Sequence, residues 1–262
     1  MATGDVSASI LILNAKGGAV FDGVDDYIDT SLTSNGDFLN GFTISAWIKP
    51  NSAGEGNTGR IIDKSINSIQ TKGFAFYIEI DNRTVFTITG GAACRSAINS
   101  VITGDGKWYH VLVTINSSAN AQTYVNNVIS GSAQVLNALN GITTGNALRI
   151  GNRAIGTDFT FNGAISDVKI WNRTLTTAEI TKDYNNQLVS EGLVHRWKLY
   201  PNSNDEITGE SSTESGNRLV IQDSVLADRI KSTRVSGAET YLFEDALLGR
   251  VIFAHIEEGA SA

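Results

Sequence analysis

Hydrophobic and polar residues alternate along much of this chain with a period of two. In residues 42–49, FTISAWIK, Phe42, Ile44, Ala46 and Ile48 fall on one side, and Thr43, Ser45, Trp47 and Lys49 on the other. That period marks a β-strand with two unlike faces. Residues 108–115, WYHVLVTI, repeat it, with Tyr109, Val111, Val113 and Ile115 on the apolar side. Residues 73–80 and 84–89 predict a hairpin about Asp81-Asn82-Arg83, and 122–130 a second about Asn126-Asn127, residue types that tolerate left-handed backbone. Shorter strands are predicted at 17–30 on either side of an acidic turn, at 147–151 and at 191–199. Residues 161–171 are strand-like, with a break of phase at Ser166-Asp167 that predicts a bulge. One helix is predicted, from an N-cap at Thr176 with Glu179 three residues on, a capping box, to about Asn185. Many short strands without alternating long helices exclude a βαβ fold and predict an all-β antiparallel sandwich. No unit repeats at a fixed period.

The pattern changes near residue 200. Residues 201–217, PNSNDEITGESSTESGN, are polar, acidic and rich in serine, and predict a long linker. Beyond it, 218–224, 240–243 and 249–258 are again strand-like. In the last of these Val251, Phe253 and His255 face one way and Ile252, Ala254 and Ile256 the other. A strand that is apolar on both faces needs partners on both, and is a natural donor to another sheet edge. The expected organisation is a sandwich over 1–200 and, over 201–262, an acidic linker and a β-rich extension for assembly.

Composition narrows the classes. Among the 262 residues there are 26 glycines and 2 prolines, which suits strands joined by tight turns. Cys94 is the only cysteine, so an intrachain disulfide and a cysteine-ligated zinc site are excluded. The net charge of −7 is concentrated late: residues 1–200 carry 16 acids and 15 bases, residues 201–262 carry 11 and 5. An acidic chain repels phosphate backbones, so no nucleic-acid partner is expected. No run approaches the roughly 18 apolar residues of a membrane helix. Ile10-Leu11-Ile12-Leu13, without basic residues before it, is too short for a leader.

In order, GGAVFDGVDDYID, FTISAWIKP, GKWYHVLVTIN, TYVNNV, ALRIG and FNGAISDVKIWNRTLTTAEI resemble the motifs of the laminin-G-like, pentraxin-related branch of the concanavalin A-like lectin/glucanase superfamily. The resemblance spans residues 17–186. It implies a jelly roll of two antiparallel sheets, one flat and one concave, with EGLVHRWKL (191–199) as its last strand. Asn127 stands where the family often has glycine.

The candidate chemistry is sparse. Some glucanases of this fold carry three carboxylates as E-x-D-x-x-E, flanking the glycosidic bond. Glu79-Ile80-Asp81 begins that spacing, but Thr84 holds the sixth position, so no catalytic residue is assigned. His110, His195 and His255 each lie in a predicted strand, far apart in sequence, and are read as packing or surface residues; Cys94 has no evident His–Asn partner for a nucleophilic triad. Asp22, Asp25, Asp26 and Asp29 crowd one turn; they either cap its amides or hold Ca²⁺, which relatives bind at the sandwich rim, the metal candidates being Asp22, Asp25 and Asp26. Trp47, Trp108 and Trp171 either pack the sandwich or stack sugars, packing being the plainer role. Loops 51–60 and 152–160 are the better places for a binding surface. The sequons at Asn82, Asn116 and Asn172 are short enough to arise by chance. The expectation is a non-enzymatic binding or structural module. It is placed in a virion of a bacteriophage, as head fibre, decoration or tail protein, joined to copies of itself or other virion proteins through 201–262. The alternative is a Ca²⁺-assisted carbohydrate-binding module on a cell surface or outside the cell.

Overall fold

The structure is a computed structural model that describes residues 17–66, 72–88, 92–200 and 202–215 in full, and the backbone strands at 219–221, 230–234, 240–245 and 250–255. The apolar run Ile10-Leu11-Ile12-Leu13 lies outside the described residues. The chain divides into two units, Gly17–Ile221 and the two chain ends, Met1–Lys16 with Gln222–Ala262.

The larger unit carries the sandwich. Its strands are β1 (Gly18–Asp22), β2 (Tyr27–Asp29), β3 (Phe42–Pro50), β4 (Arg60–Asp63), β5 (Phe74–Glu79), β6 (Arg83–Ile88) and β7 (Ala93–Arg95). They continue as β8 (Tyr109–Ile115), β9 (Asn120–Val125), β10 (Val128–Ile129), β11 (Gln134–Val135), β12 (Arg149–Ile150) and β13 (Asn162–Trp171). Helix α1 (Thr177–Tyr184) is followed by β14 (Leu193–Trp197), β15 (Thr213–Ser215) and β16 (Leu219–Ile221). One sheet runs β10-β9-β8-β3-β13-β1-β16, with β11 beside β9 and β14 beside β13; the other runs β15-β2-β12-β4-β5-β6-β7. All their pairings are antiparallel, as the alternation predicted.

The core lies between the sheets. Phe42, Ile44, Ala46 and Ile48 of β3 and Val111, Val113 and Ile115 of β8 are fully buried in it, facing Ile62, Phe74, Phe76 and Phe86 of the second sheet. Phe38, Phe42, Phe74 and Phe86 interlock with ring centroids 5.0–5.9 Å apart, distances at which aromatic pairs attract. Asn126 and Asn127 take φ of 49° and 66° and turn the β9–β10 hairpin. Register shifts in β13 between Ser166 and Lys169, with Asp167 at φ 48°, so the bulge sits where the phase broke. The Thr176 hydroxyl accepts from the Glu179 amide and the Glu179 carboxylate accepts from the Thr176 amide, closing the capping box.

The second face of the first sheet is covered too. Leu112, Trp171, Leu175, Ile180 and Val189 form a small second core beneath α1. There Trp47 stacks on Tyr184 at 5.7 Å, and Asp183 of α1 accepts from His110 Nε2 at 3.0 Å and from Lys169 Nζ at 2.9 Å, all three residues being buried. Burial alone raises a carboxyl, but the His110 hydrogen bond and the Lys169 charge outweigh it and hold Asp183 well below the usual range.

The polar stretch expected as a linker runs along the sandwich. Asp205 bridges Trp197, β15 extends the second sheet beside β2, and β16 extends the first beside β1. Glu206 donates its amide to Arg196 at 2.8 Å, and Ser203 donates to Glu214 at 2.6 Å. Within the smaller unit, β17 (Ile230–Arg234), β18 (Thr240–Asp245) and β19 (Arg250–His255) form a three-stranded antiparallel sheet. The faces expected for Val251, Phe253 and His255 concern side chains outside the described residues.

Candidate functional site

Three connections between the two sheets meet at one end of the sandwich. The turn 22–26 joins β1 to β2, loop 51–59 joins β3 to β4, and loop 151–161 joins β12 to β13. Backbone bonds fasten the latter two: Asn51 donates to Asn162 at 2.9 Å, Glu55 to Thr160 at 2.9 Å, Arg60 to Phe159 at 2.9 Å and Gly151 to Ile61 at 3.1 Å. Gly54 allows the crossing, at φ 79°, because a Cβ there would lie 2.5 Å from the Gly59 Cα and 2.6 Å from the Thr160 carbonyl oxygen.

In the acidic turn, Val24 donates to Asp22 Oδ1 at 2.8 Å and Asp22 donates its amide to Asp26 Oδ2 at 2.9 Å. Asp22 makes the cap expected of a turn aspartate, and Asp26, rather than Asp25, makes the second. They leave oxygens unused, however. Ligand atoms of Asp22, Asp25 and Asp26 lie within 4.8 Å of one another. Asp26 is 1% exposed, and its Oδ1 is buried with no hydrogen-bond partner. Burial pushes the Asp26 carboxyl up, the Asp22 amide opposes this, and the Asp22 and Asp25 charges reinforce it. A buried carboxylate oxygen without a donor costs free energy unless a cation or proton meets it. Three carboxylates, two of them open to solvent, are the hard donors that suit Ca²⁺. These residues therefore fit the ion. Asp29 stands apart: it accepts from the Ser31 amide at 3.1 Å and faces Arg149 Nε at 3.5 Å.

Beside the turn lies a layer of guanidinium and aromatic groups that the sequence did not single out. Arg149 sits 3.9 Å from the centre of the Tyr27 ring. Arg60 sits 4.4 Å from that of Tyr77 and 4.7 Å from that of Phe159, and Arg153 5.6 Å from that of Phe159. Such stacking is electrostatically favourable. The positive charges have partners: Arg60 with Asp63 at 3.0 Å, Arg149 with Asp29, and Arg153 with Asp158. Glu55 Oε2 accepts from the Phe159 amide at 2.9 Å and from the Thr160 amide at 3.2 Å. Phe159 itself has φ 89°.

The other sequence candidates serve packing and ion pairing. Glu79 is held by Arg95, at 3.3 Å through both carboxylate oxygens, and by Arg83, which also pairs with Asp81. His195 Nδ1 meets Asp205 at 2.6 Å, its Nε2 meets Asp37 at 3.4 Å, and its ring stacks on Trp197. Cys94 is buried, donating to the Ala121 carbonyl at 3.3 Å, and burial pushes its thiol up. Trp171 is buried and donates to the Val189 carbonyl at 2.8 Å, Trp47 is 8% exposed, and Trp108 is partly exposed. His255 falls outside the residues described with side chains. Among the described residues no helix is long and apolar enough to cross a membrane.

A family model described as the concanavalin A-like lectin/glucanases superfamily matches residues 22–181, more than half of the chain. No curated protein matches. Among solved structures, the heptameric SAP-like pentraxin of Limulus polyphemus aligns at 18% identity and TM-score 0.57, over 79% of this chain and 94% of that one. A proposed carbohydrate-binding protein from Bacteroides ovatus aligns at 16% identity and TM-score 0.59, over 79% of this chain and 60% of that one. The sialidase CBM40 domain of Ruminococcus gnavus aligns at 14% and TM-score 0.52, over 64% and 96%. At these identities the likeness is one of fold.

Proposed function

The chain belongs to the concanavalin A-like lectin/glucanase superfamily, and from that premise we propose that it is a non-enzymatic glycan-binding module. Its binding surface is the rim built from residues 22–26, 51–59 and 151–161. The observation that carries this is the buried, donorless Oδ1 of Asp26 beside Asp22 and Asp25, at a rim that also presents aromatic and guanidinium groups. Ca²⁺ held there would neutralise the clustered carboxylates and fix the turn that borders the binding surface. Asp22, Asp25 and Asp26 hold it; Asn152 donates to the Asp26 carbonyl at 3.4 Å and fixes the turn against loop 151–161. The solved relatives named for carbohydrate binding support the reading. A glycan array probed with and without chelator tests it. Binding that falls with chelator, and in Asp26→Asn, is expected; an array without any bound glycan refutes it.

The separate sheet β17-β18-β19 favours a second, compatible role in assembly. We propose that residues 201–262 join this chain to copies of itself or to other components of a virion of a bacteriophage. An extracellular or cell-surface setting is the alternative. Native mass spectrometry of a chain lacking 240–262 tests the assembly role. The sandwich stays folded and the oligomer is lost; an unchanged oligomer refutes it.

A further inference from the structure

One edge of the first sheet lacks the protection that open edges usually carry. The segment lining it runs back along β9. It pairs Val128 with Val125 and Ile129 with Tyr124 in β10, and Gln134 with Ala121 and Val135 with Asn120 in β11. No described strand lies beyond it. Open edges are normally blunted by charged side chains, lysine above all, because their free amides and carbonyls recruit other strands. Here no residue between His110 and Arg149 is charged. Instead Val128, Ile129 and Val135 stand 66%, 61% and 63% exposed. Val128 is paired with a residue of the main core and Ile129 with one packed on the small core beneath α1, so the edge is apolar on both faces of the sheet. Covering these side chains is favourable in proportion to the area removed from water.

The smaller unit holds a strand of matching kind. β19 is six residues long, as β9 is, and it borders β18 on one side with no described strand on the other. Its middle, Val251-Ile252-Phe253-Ala254, is uncharged and apolar at consecutive positions, a pattern that makes either face apolar. β17, at the opposite edge of that sheet, carries Lys231 and Arg234 and is the blunted one. We propose that β19 of one copy adds as an extra strand to the β10–β11 edge of a second copy. This names the contact through which 201–262 joins copies, and it rests on the assembly reading above. Backbone hydrogen bonds make the pairing, and apolar residues on both faces of strand and edge cover one another. Residues 130–133 part β10 from β11, so the added strand bonds to two short stretches. Donor and acceptor are different surfaces, so the contact is heterologous and repeats head to tail, into a ring or a filament.

The test uses full-length variants in native mass spectrometry. Val128→Lys with Ile129→Lys blunts the accepting edge, at positions exposed enough to leave the sandwich folded. Val135→Lys, at the other end of the edge, repeats that change independently. Ile252→Lys with Phe253→Lys blunts the donor strand. Circular dichroism melting checks that the sandwich is folded in each. The native chain should hold more than one copy per particle, and each variant alone a single copy. An equal mixture of edge and donor variants should form a heterodimer, because one keeps β19 and the other keeps the edge. Edge variants that keep the native assembly overturn the proposal, and so does a mixture that stays monomeric; either result leaves the broader assembly reading standing. A native chain that is itself a single copy in solution removes both.

Discussion

Replacing Lys64 with methionine changes how the stability of the sandwich responds to alkali. Lys64 follows β4 and is wholly buried. Its Nζ donates to the carbonyls of Leu32 at 2.9 Å, Thr33 at 3.0 Å and Asn146 at 2.6 Å. Three carbonyls satisfy the ammonium's donors but bring no negative charge. Burial therefore pushes its pKa from 10.5 down to about 8. Because the folded pKa is the lower one, the unfolded chain binds more protons between about pH 8 and 10.5, and stability rises with pH across that window. For a pKa of about 8 the gain between about pH 7.5 and 9.5 comes to about 2 kcal/mol. In a unit of this size that is a rise in Tm of about 4–8 °C attributable to one side chain. Tyr109, raised to about 12 by burial and by the Asp105 carboxylate, works in the opposite direction at still higher pH and cancels in a comparison of the two proteins. Urea unfolding of native chain and Lys64→Met at the two pH values reads the difference directly. The native chain should gain about 2 kcal/mol more than the variant. Parallel pH profiles would refute the reasoning, since they would mean that Lys64 keeps its ordinary proton affinity inside the fold.

Asp183→Asn leaves the buried Lys169 with Asp167 as its remaining carboxylate and takes the charge from the acceptor of His110, and should cost about 1.5–3 kcal/mol in urea unfolding. Asp183 and Asp205 are both held below the ordinary carboxyl range, so their contribution is present above about pH 4 and lost as pH falls below it; stability should fall with acid there, and less steeply in Asp183→Asn. Ca²⁺ at one hundred times its Kd should stabilise the sandwich by about 2.7 kcal/mol, seen as a higher Tm, and Asp26→Asn should erase that rise.

Much of the fold was legible because its signals are local. The alternation in β3 and β8, the asparagine pair at 126–127, the phase break at Ser166-Asp167 and the capping box at Thr176 each need only a few adjacent residues, and each recurs in the structure. What escaped depends on residues distant in sequence. The face of β3 with Thr43, Ser45 and Trp47 reads only as the less apolar one, yet a helix more than 120 residues later covers it and buries His110 and Lys169 against Asp183. The polar stretch after residue 200 lacks strand periodicity, but β2 offered an unpaired edge that β15 occupies. At the rim, the aspartates at 22, 25 and 26 stood out because they are neighbours, and Asp29 was grouped with them for the same reason, although Arg149 draws it away. Arg60 and Arg149 gave no signal, since their aromatic partners Tyr77 and Tyr27 sit on other strands. Phe159 carries its information in a backbone angle that no residue type announces.

The most direct measurement is backbone NMR of the sandwich titrated with an array-positive oligosaccharide in the presence of Ca²⁺. Shift changes gathered in residues 22–26, 51–59 and 151–161 are the predicted result. Changes gathered instead over helix α1 and its neighbours, with the rim silent, would contradict the account.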